Sequence, residues 1–463
     1  MPNIVTYPPF HGPSIAPSPC VPPKELLPLL RPPPSTPPPH PPRPEIDPLP
    51  ASYTRSLHAA PAAWPRHLRE SKGEYSRDST PFGPPAAANE GKEERAKRIV
   101  AGKDECIKLR EQAKEWDIEE AKAGGHPPQW LAVERWKRND PHPDGITLVL
   151  THANGLPKEQ WHPLLRRAIA ASDSGAPGGL FGDGKPVKGS TPIINDIWLL
   201  EDTHHGCSAD LNAGKLARVV AWADVPRDVL NFVTHVLPSA VNSNSYALDW
   251  TDKEAPVKNL VGLGHSLGGN GLVQAAALRP DLFSSLFLVE PMTQPGLGRP
   301  MMRKMGDPIP LGALKRRNIW PSPADVKKDA MTKTWDEDVW RLWLSHGIVP
   351  VDYSKPDGEV TLATAPWAEC AVFSDPVGPQ RGWDALPKVR CPVGFIMAGN
   401  PTWLGGPDVT KEIPWRAPRG RNERLMDAGH LAIQERPDLV ADSFWRFLTT
   451  LSAGEWDKTD AKL

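Results

Sequence analysis

Ser266 stands in Gly264-His265-Ser266-Leu267-Gly268, a G-x-S-x-G run set directly after the apolar segment Asn259-Leu260-Val261-Gly262-Leu263. A serine hydroxyl attacks a carbonyl only when a base takes its proton and the backbone presents it openly. A tight strand-to-helix turn, an elbow, supplies the presentation, and the flanking glycines let two backbone segments approach where a Cβ would clash. Gly268 to Leu278 reads as the helix that follows, and Pro280 stops it. The base must come from 14 histidines. His430 is favoured because it lies in Asp427-Ala428-Gly429-His430-Leu431-Ala432-Ile433, after a short strand and before a helix opened by Arg436-Pro437. It also falls in the chain order nucleophile, acid, base. The bland alternatives are an idle serine on a glycine-rich turn and a loop histidine packed against Trp445.

The acid is harder to choose. The loop after the penultimate strand reads Gly399-Asn400-Pro401-Thr402-Trp403-Leu404-Gly405-Gly406-Pro407-Asp408 and holds no carboxylate before Asp408. Asn400 could orient an imidazole neutrally. Glu290 closes the strand Leu286-Phe287-Leu288-Val289-Glu290, which follows the elbow helix and ends at the carboxyl edge where sites of open α/β sheets lie. An ionisable group ending so apolar a run needs a partner. Glu290 is therefore the first choice, Asp408 the second and Asn400 the third; the bland reading of Glu290 is a salt-bridged strand end.

These side chains need a frame. Trp130 to Trp136, Gly145 to Thr151, Ile194 to Leu200, 259–263, Leu282 to Glu290, Val393 to Ala398 and Glu423 to Met426 read as strands, with helices between several of them. The alternation predicts an α/β fold: a mostly parallel sheet with helices on both faces, spanning 130–451. From 291 to 387 the alternation breaks. That interval carries Trp320, Trp335, Trp340, Trp343, Trp367 and Trp383 and reads as an inserted cap. Its tryptophans suit either an apolar acyl pocket or the cap's own core. Residues 91–125 read as a charged helix or linker, with Glu93–Lys97 and Glu94–Arg98 as favourable pairs. Twenty of the first 50 residues are proline. Proline lacks an N–H and fixes φ, so residues 1–90 are predicted to be a disordered, polyproline-like extension, with docking into an SH3- or WW-type groove as a lesser alternative. Residues 452–463 read as a flexible tail.

Composition excludes several classes. The formal net charge is −1, so nothing points to bulk nucleic-acid binding. The five cysteines are scattered, odd in number and free of C-x-x-C spacing, which argues against a disulfide framework or structural zinc. No run of 18 apolar residues exists, so no membrane span is predicted, and the N-terminus lacks a secretory pattern. Ala461-Lys462-Leu463 is close to the S-K-L peroxisomal address, and an import receptor is its expected partner.

Together, Thr151-His152-Ala153-Asn154-Gly155-Leu156-Pro157-Lys158-Glu159, the Gly264–Gly269 run, the placement of Glu290 and the terminal Ala-Lys-Leu resemble the α/β-hydrolase superfamily from about Trp130 to Leu451. Within it they resemble fungal peroxisomal acyl-CoA hydrolases of secondary metabolism, of the mycophenolic acid and host-toxin pathways. The proline-rich first 90 residues depart from that pattern, Ala153 replaces a glycine, and an aspartate is usual where Glu290 stands. The resemblance implies an oxyanion hole made by the N–H groups of Leu267 and Asn154, with His152 bracing the loop. It implies a serine hydrolase acting on an ester or thioester, preferably an acyl-CoA thioester, with Ser266, His430 and Glu290 as its triad. No metal or organic cofactor is implied. Phosphate contacts from Lys315, Arg316 and Arg317 are conceivable, although a solvated basic turn explains them as well. Epoxide hydrolases and dehalogenases are disfavoured, since they use aspartate at the elbow. The competing class is a non-catalytic binding or scaffold protein on the same fold.

Overall fold

Alternating apolar strands and amphipathic helices bury most surface as a sheet covered on both faces, and the computed structural model of the chain has that architecture. It describes residues 4–15, 25–43, 49–68, 74–83, 91–114, 118–120, 122–123, 127–189, 191–253, 256–296, 308–399 and 404–458. The main sheet has eight strands: β1 (Tyr53–Pro61), β2 (Trp130–Arg138), β3 (Ile146–Thr151), β4 (Ile194–Leu200), β5 (Leu260–His265), β6 (Ser285–Val289), β7 (Val393–Ala398) and β8 (Gly420–Leu425). Their spatial order is β1-β2-β4-β3-β5-β6-β7-β8. β2 runs antiparallel to β1 and β4, and every other neighbouring pair is parallel.

Ten helices matter to the site and its supports: α1 (Lys92–Gln112), α2 (His162–Ser174), α3 (Asp224–Asn231), α4 (Leu267–Leu278), α5 (Pro308–Lys315), α6 (Glu337–His346), α7 (Pro366–Phe373), α8 (Gly378–Ala385), α9 (Pro407–Arg416) and α10 (Pro437–Ser452). On one face of the sheet α3 and α4 pack with Trp383 of α8 over Val149, Leu286 and Phe395. On the other, α2 and α10 pack over Leu148, Leu263 and Phe287. Both strand faces are therefore dry, which is why these strands read as continuous apolar runs.

The interval after β6 forms a cap containing α5, α6, α7 and a three-stranded antiparallel sheet from Ile319–Trp320, Ile348–Pro350 and Val360–Leu362. Trp320, Trp335, Trp340 and Trp343 form the cap's own core together with Ala153 and Leu156. α8 belongs to the sheet: Asn270 of α4 donates to Gly378 O at 3.0 Å, and Trp383 is wholly buried in the sheet's core. The sheet-covering part of the chain thus resumes at about 378.

The proline-rich arm has different limits from 1–90. Tyr53–Pro61 is an edge strand paired along its whole length with β2, from Tyr53↔Arg138 to Pro61↔Trp130. Its Thr-Arg-Ser-Leu-His-Ala-Ala sequence is poor in strand formers, so the partner strand, and not local propensity, makes it a strand. Residues 25–43 contain no helix and no strand beyond an isolated bridge at Leu30. Their carbonyls still accept hydrogen bonds: Arg227 donates to Leu27 O (2.9 Å) and Pro28 O (3.1 Å), and Tyr246 Oη to Pro38 O (2.6 Å). Proline removes donors and leaves acceptors, and the domain supplies the donors. The tail is also docked as far as Trp456, which is buried, stacks on Phe181 and donates to Arg419 O at 3.1 Å. Ala461-Lys462-Leu463 lies outside the described residues.

Candidate active site

Strand register sets the corner where the candidate residues meet. β5 ends with His265 opposite Val289 of β6, so Ser266 and Glu290 open adjacent loops at the carboxyl edge of the sheet. Thr151, the last residue of β3, pairs with Gly264 on the other side, which sets the loop after β3 against the elbow.

Ser266 adopts φ 52°, ψ −113°, a conformation that L residues rarely take. Such strain costs on the order of 1–3 kcal/mol and persists only where the surroundings impose it. Here Ser266 N–H donates to Val289 O (3.1 Å), and Ser266 O accepts from Met292 N–H (2.9 Å). The glycines answer to contact distances. A Cβ on Gly264 would lie 2.7 Å from the Cα of Gly269, and one on Gly268 would lie 2.6 Å from the backbone of Thr151. The serine is only 6% exposed.

His430 Nε2 lies 2.9 Å from Ser266 Oγ. Its Nδ1 lies 3.2 Å from Glu290 Oε2. With Nδ1–H donating to the carboxylate, Nε2 carries the lone pair that can accept the serine proton. Glu290 is 1% exposed and has φ 44°; its Oε1 accepts the N–H of Ala398 at 2.6 Å, and its own N–H donates to Ile396 O at 2.9 Å. His265, the middle residue of the elbow's first half, donates from Nε2 to the carbonyl of His430 at 2.9 Å. Burial pushes the His265 imidazole down to about 3, so it is neutral and holds the His430 loop through its single N–H.

The loop after β3 faces the first turn of α4. Leu267 N–H has no backbone acceptor among the described residues, whereas Gly268 N–H donates to His152 O at 3.2 Å. His152 Nδ1–H donates to Ala153 O (2.8 Å), and its Nε2 accepts Asp202 N–H (3.0 Å). Burial, reinforced by neighbouring His205, pushes His152 down to about 3. A trans peptide opposes its C=O and N–H. Fixing Ala153 O on the imidazole therefore turns the N–H of Asn154 away from that ring. Asn154 Nδ2 is anchored on Glu369 O (3.2 Å), and Gly155, at φ +79°, donates to His205 Nε2 (2.9 Å). A Cβ on Gly155 would lie 2.8 Å from the Glu369 carboxyl carbon. Arg316 of the cap pairs with that carboxylate at 2.6 Å.

Behind the loop sits a buried ionic cluster. Lys158 Nζ lies 2.7 Å from Glu159 and 3.5 Å from Glu201, all three essentially excluded from solvent. Burial alone would discharge Lys158, but the two carboxylates hold it charged and above its ordinary pKa. Lys158 in turn holds Glu159 well below the carboxylate range against the penalty of burial.

The sequence-chosen Ser266, His430 and Glu290 thus come together, with Leu267 and Asn154 on adjoining segments. Asp408 does not join them: it is exposed on α9, 3.8 Å from Lys411. Asn400 lies outside the described residues. Arg316 is engaged with Glu369, and Arg317 donates to Ile319 O and lies over Trp320. Sequence reasoning missed His265, Glu369 and the Lys158 cluster. The signal for His265 was present, since a histidine inside an otherwise apolar strand end must find a partner. Among the described residues, no group of three or more His, Cys, Asp or Glu side chains is placed to hold a metal ion, and no helix is long and apolar enough to cross a membrane.

A model of the alpha/beta hydrolase family matches residues 148–443. Type I acyl-CoA thioesterase mpaH of Penicillium roqueforti (strain FM164) is 31% identical over 189 residues, 40% of this chain and 36% of that protein. Peroxisomal membrane protein LPX1 of Saccharomyces cerevisiae (strain ATCC 204508 / S288c) is 31% identical over 169 residues, 36% of each chain. Abhydrolase domain-containing protein AKT2 of Alternaria alternata is 26% identical over 215 residues, 40% of this chain and 80% of that protein. The chain therefore spans 36% of the length of the first two relatives. Among solved structures, the peroxisomal alpha-beta-hydrolase Lpx1 of Saccharomyces cerevisiae superposes with a TM-score of 0.58 at 15% identity, covering 87% of this chain and 90% of that one. At that identity the likeness speaks for the fold.

Proposed function

The chain belongs to the α/β-hydrolase family, and on that premise we propose that it is a serine hydrolase that cleaves an acyl thioester through Ser266, His430 and Glu290. The observation that carries the reading is the 2.9 Å contact of His430 Nε2 with Ser266 Oγ, backed by Glu290 at 3.2 Å from Nδ1. Ser266 Oγ attacks the acyl carbon while Nε2 takes its proton. The negative charge that develops on the carbonyl oxygen is met by Leu267 N–H, at the positive end of α4, and by Asn154 N–H. Each such donor lowers the barrier by on the order of 3 kcal/mol. Imidazolium then protonates the departing thiolate, and His430 activates a water that releases the acid and restores the serine. Glu290 holds the ring in the required tautomer and stabilises its cation without taking the proton.

An acyl-CoA substrate is supported by the names of the Penicillium relatives, and a peroxisomal location by that of the yeast relative together with Ala461-Lys462-Leu463. Residues 130–451 would form the catalytic domain, with the cap from 291 shaping the acyl site. The test uses a fluorophosphonate probe and a panel of acyl-CoA, aryl ester and lactone substrates. The expected result is labelling of the wild type, none of Ser266→Ala, and thiol release from acyl-CoA ahead of the oxygen esters. An unlabelled wild type that still retains an apolar ligand identifies a binding protein instead.

A further inference from the structure

The N-terminal segment reaches the far side of the candidate site. Arg424 N–H donates to Val5 O at 2.7 Å, forming an antiparallel bridge on the edge strand β8. Two residues on, Tyr7 N–H donates to Asn422 Oδ1 (2.7 Å), and Asn422 Nδ2 donates back to Tyr7 O (3.3 Å). Tyr7 is 3% exposed, and the Arg424 guanidinium lies 4.1 Å over its ring. The guanidinium thus meets the ring face, and the contact is of cation–π type. Arg424 Nη2 donates in turn to Gly399 O at 3.3 Å. Gly399 is wedged: its N–H donates to Leu425 O at 2.8 Å, and a Cβ there would lie 2.4 Å from Met426 Cα. The preceding residue, Ala398, gives its N–H to Glu290 Oε1 at 2.6 Å.

We propose that Tyr7 and Arg424 form a clamp that positions Glu290, and through it the His430 ring, by fixing the Ala398–Gly399 corner. The inference rests on the hydrolase reading above. It makes Tyr7, more than 250 residues upstream of the serine in the chain, a positioning residue for the triad acid. The clamp acts on orientation. Its contacts are with Val5, Asn422 and Gly399, so its loss acts on acylation through the position of Glu290. Burial raises the Tyr7 phenol pKa; the Arg424 guanidinium opposes that rise, and the nearby Glu290 carboxylate adds to it.

The full chain is compared as wild type, Tyr7→Phe, Tyr7→Leu and Arg424→Gln. Tyr7→Leu keeps apolar bulk and loses the π face, and thermal unfolding checks that each variant is folded. Hydrogen exchange of the peptide covering Ala398 and Gly399 reads the clamp itself, whatever the protein catalyses. The fluorophosphonate labelling rate of Ser266 reads its consequence. Tyr7→Leu and Arg424→Gln are expected to exchange faster at 398–399 and to label about tenfold more slowly, as small displacements of catalytic groups do. Tyr7→Phe is expected to match the wild type in both. Unchanged exchange in folded Tyr7→Leu overturns the clamp. Faster exchange with an unchanged labelling rate overturns the positioning role. A wild type that exchanges as expected yet takes no label overturns the hydrolase reading and the positioning role with it, while the clamp stands.

Discussion

The two halves of the site are built by different physics. The Ser266–His430–Glu290 half is held mainly by backbone: two residues at positive φ, strand ends locked in register, and a carboxylate fixed by one peptide N–H. The half from Thr151 to Glu159 is held by ionisable side chains, most of them buried: His152, Asp202, His205, Glu369, Arg316, Lys158 and Glu201. A corner fixed by backbone keeps its shape when one side chain is replaced, so substitutions there act on chemistry and largely spare the fold. A corner built from buried charges couples chemistry to stability, because each charge is tolerable only while its partner is present.

That contrast can be broken most decisively at the triad. Ser266→Ala and His430→Ala are expected to lower kcat by about 10⁶-fold, and Glu290→Gln by about 10⁴-fold, with unfolding midpoints close to the wild type. Steady-state kinetics beside thermal denaturation checks both halves of the statement. Large stability losses in these variants would erase the distinction.

Lys158→Met reverses the pattern. It strands Glu159 and Glu201 in the interior and is expected to cost about 3–5 kcal/mol of stability in urea unfolding. Arg316→Gln is milder. It leaves the Glu369 carboxylate without its cation, loosens the anchor of Asn154, and is expected to lower kcat about tenfold with little change in KM, corresponding to about 1.4 kcal/mol. A change confined to KM would place Arg316 on the substrate instead.

The smallest effect is a pH slope. His152 and His265 are pushed by burial from an ordinary 6.5 to about 3. Between those values the unfolded chain binds protons that the folded one refuses, so stability falls as pH drops below 6.5. Asp228, raised by burial to about 6, acts in the opposite sense. The two histidines outweigh it, and the melting temperature is expected to be lower at pH 5 than at pH 7. His265→Gln should reduce that difference.

The backbone-built half is also the more legible in sequence. Ile194–Leu200 and Val393–Ala398 are strands with the bounds that their apolar runs suggest, because both faces are covered. The elbow announces itself through glycine spacing. Glu290 stands out because a charge ends an apolar strand. The charge-built half was largely hidden: Glu369 lies 215 positions from Asn154 in the chain, and no local pattern pairs them. β1 was hidden for the same reason, since its strand character comes from β2. In the cap, tryptophan content left open whether the rings line a pocket or a core; four of them share one buried cluster with the loop after β3.

The most direct test is to trap the covalent intermediate. The protein is mixed with an acyl-CoA, quenched on the millisecond scale, digested, and the acylated peptide is located by mass spectrometry. The account predicts one acyl adduct, on Ser266, absent from Ser266→Ala and slow to form in His430→Ala. An adduct on any other residue, or thiol release by Ser266→Ala at the wild-type rate, would contradict it.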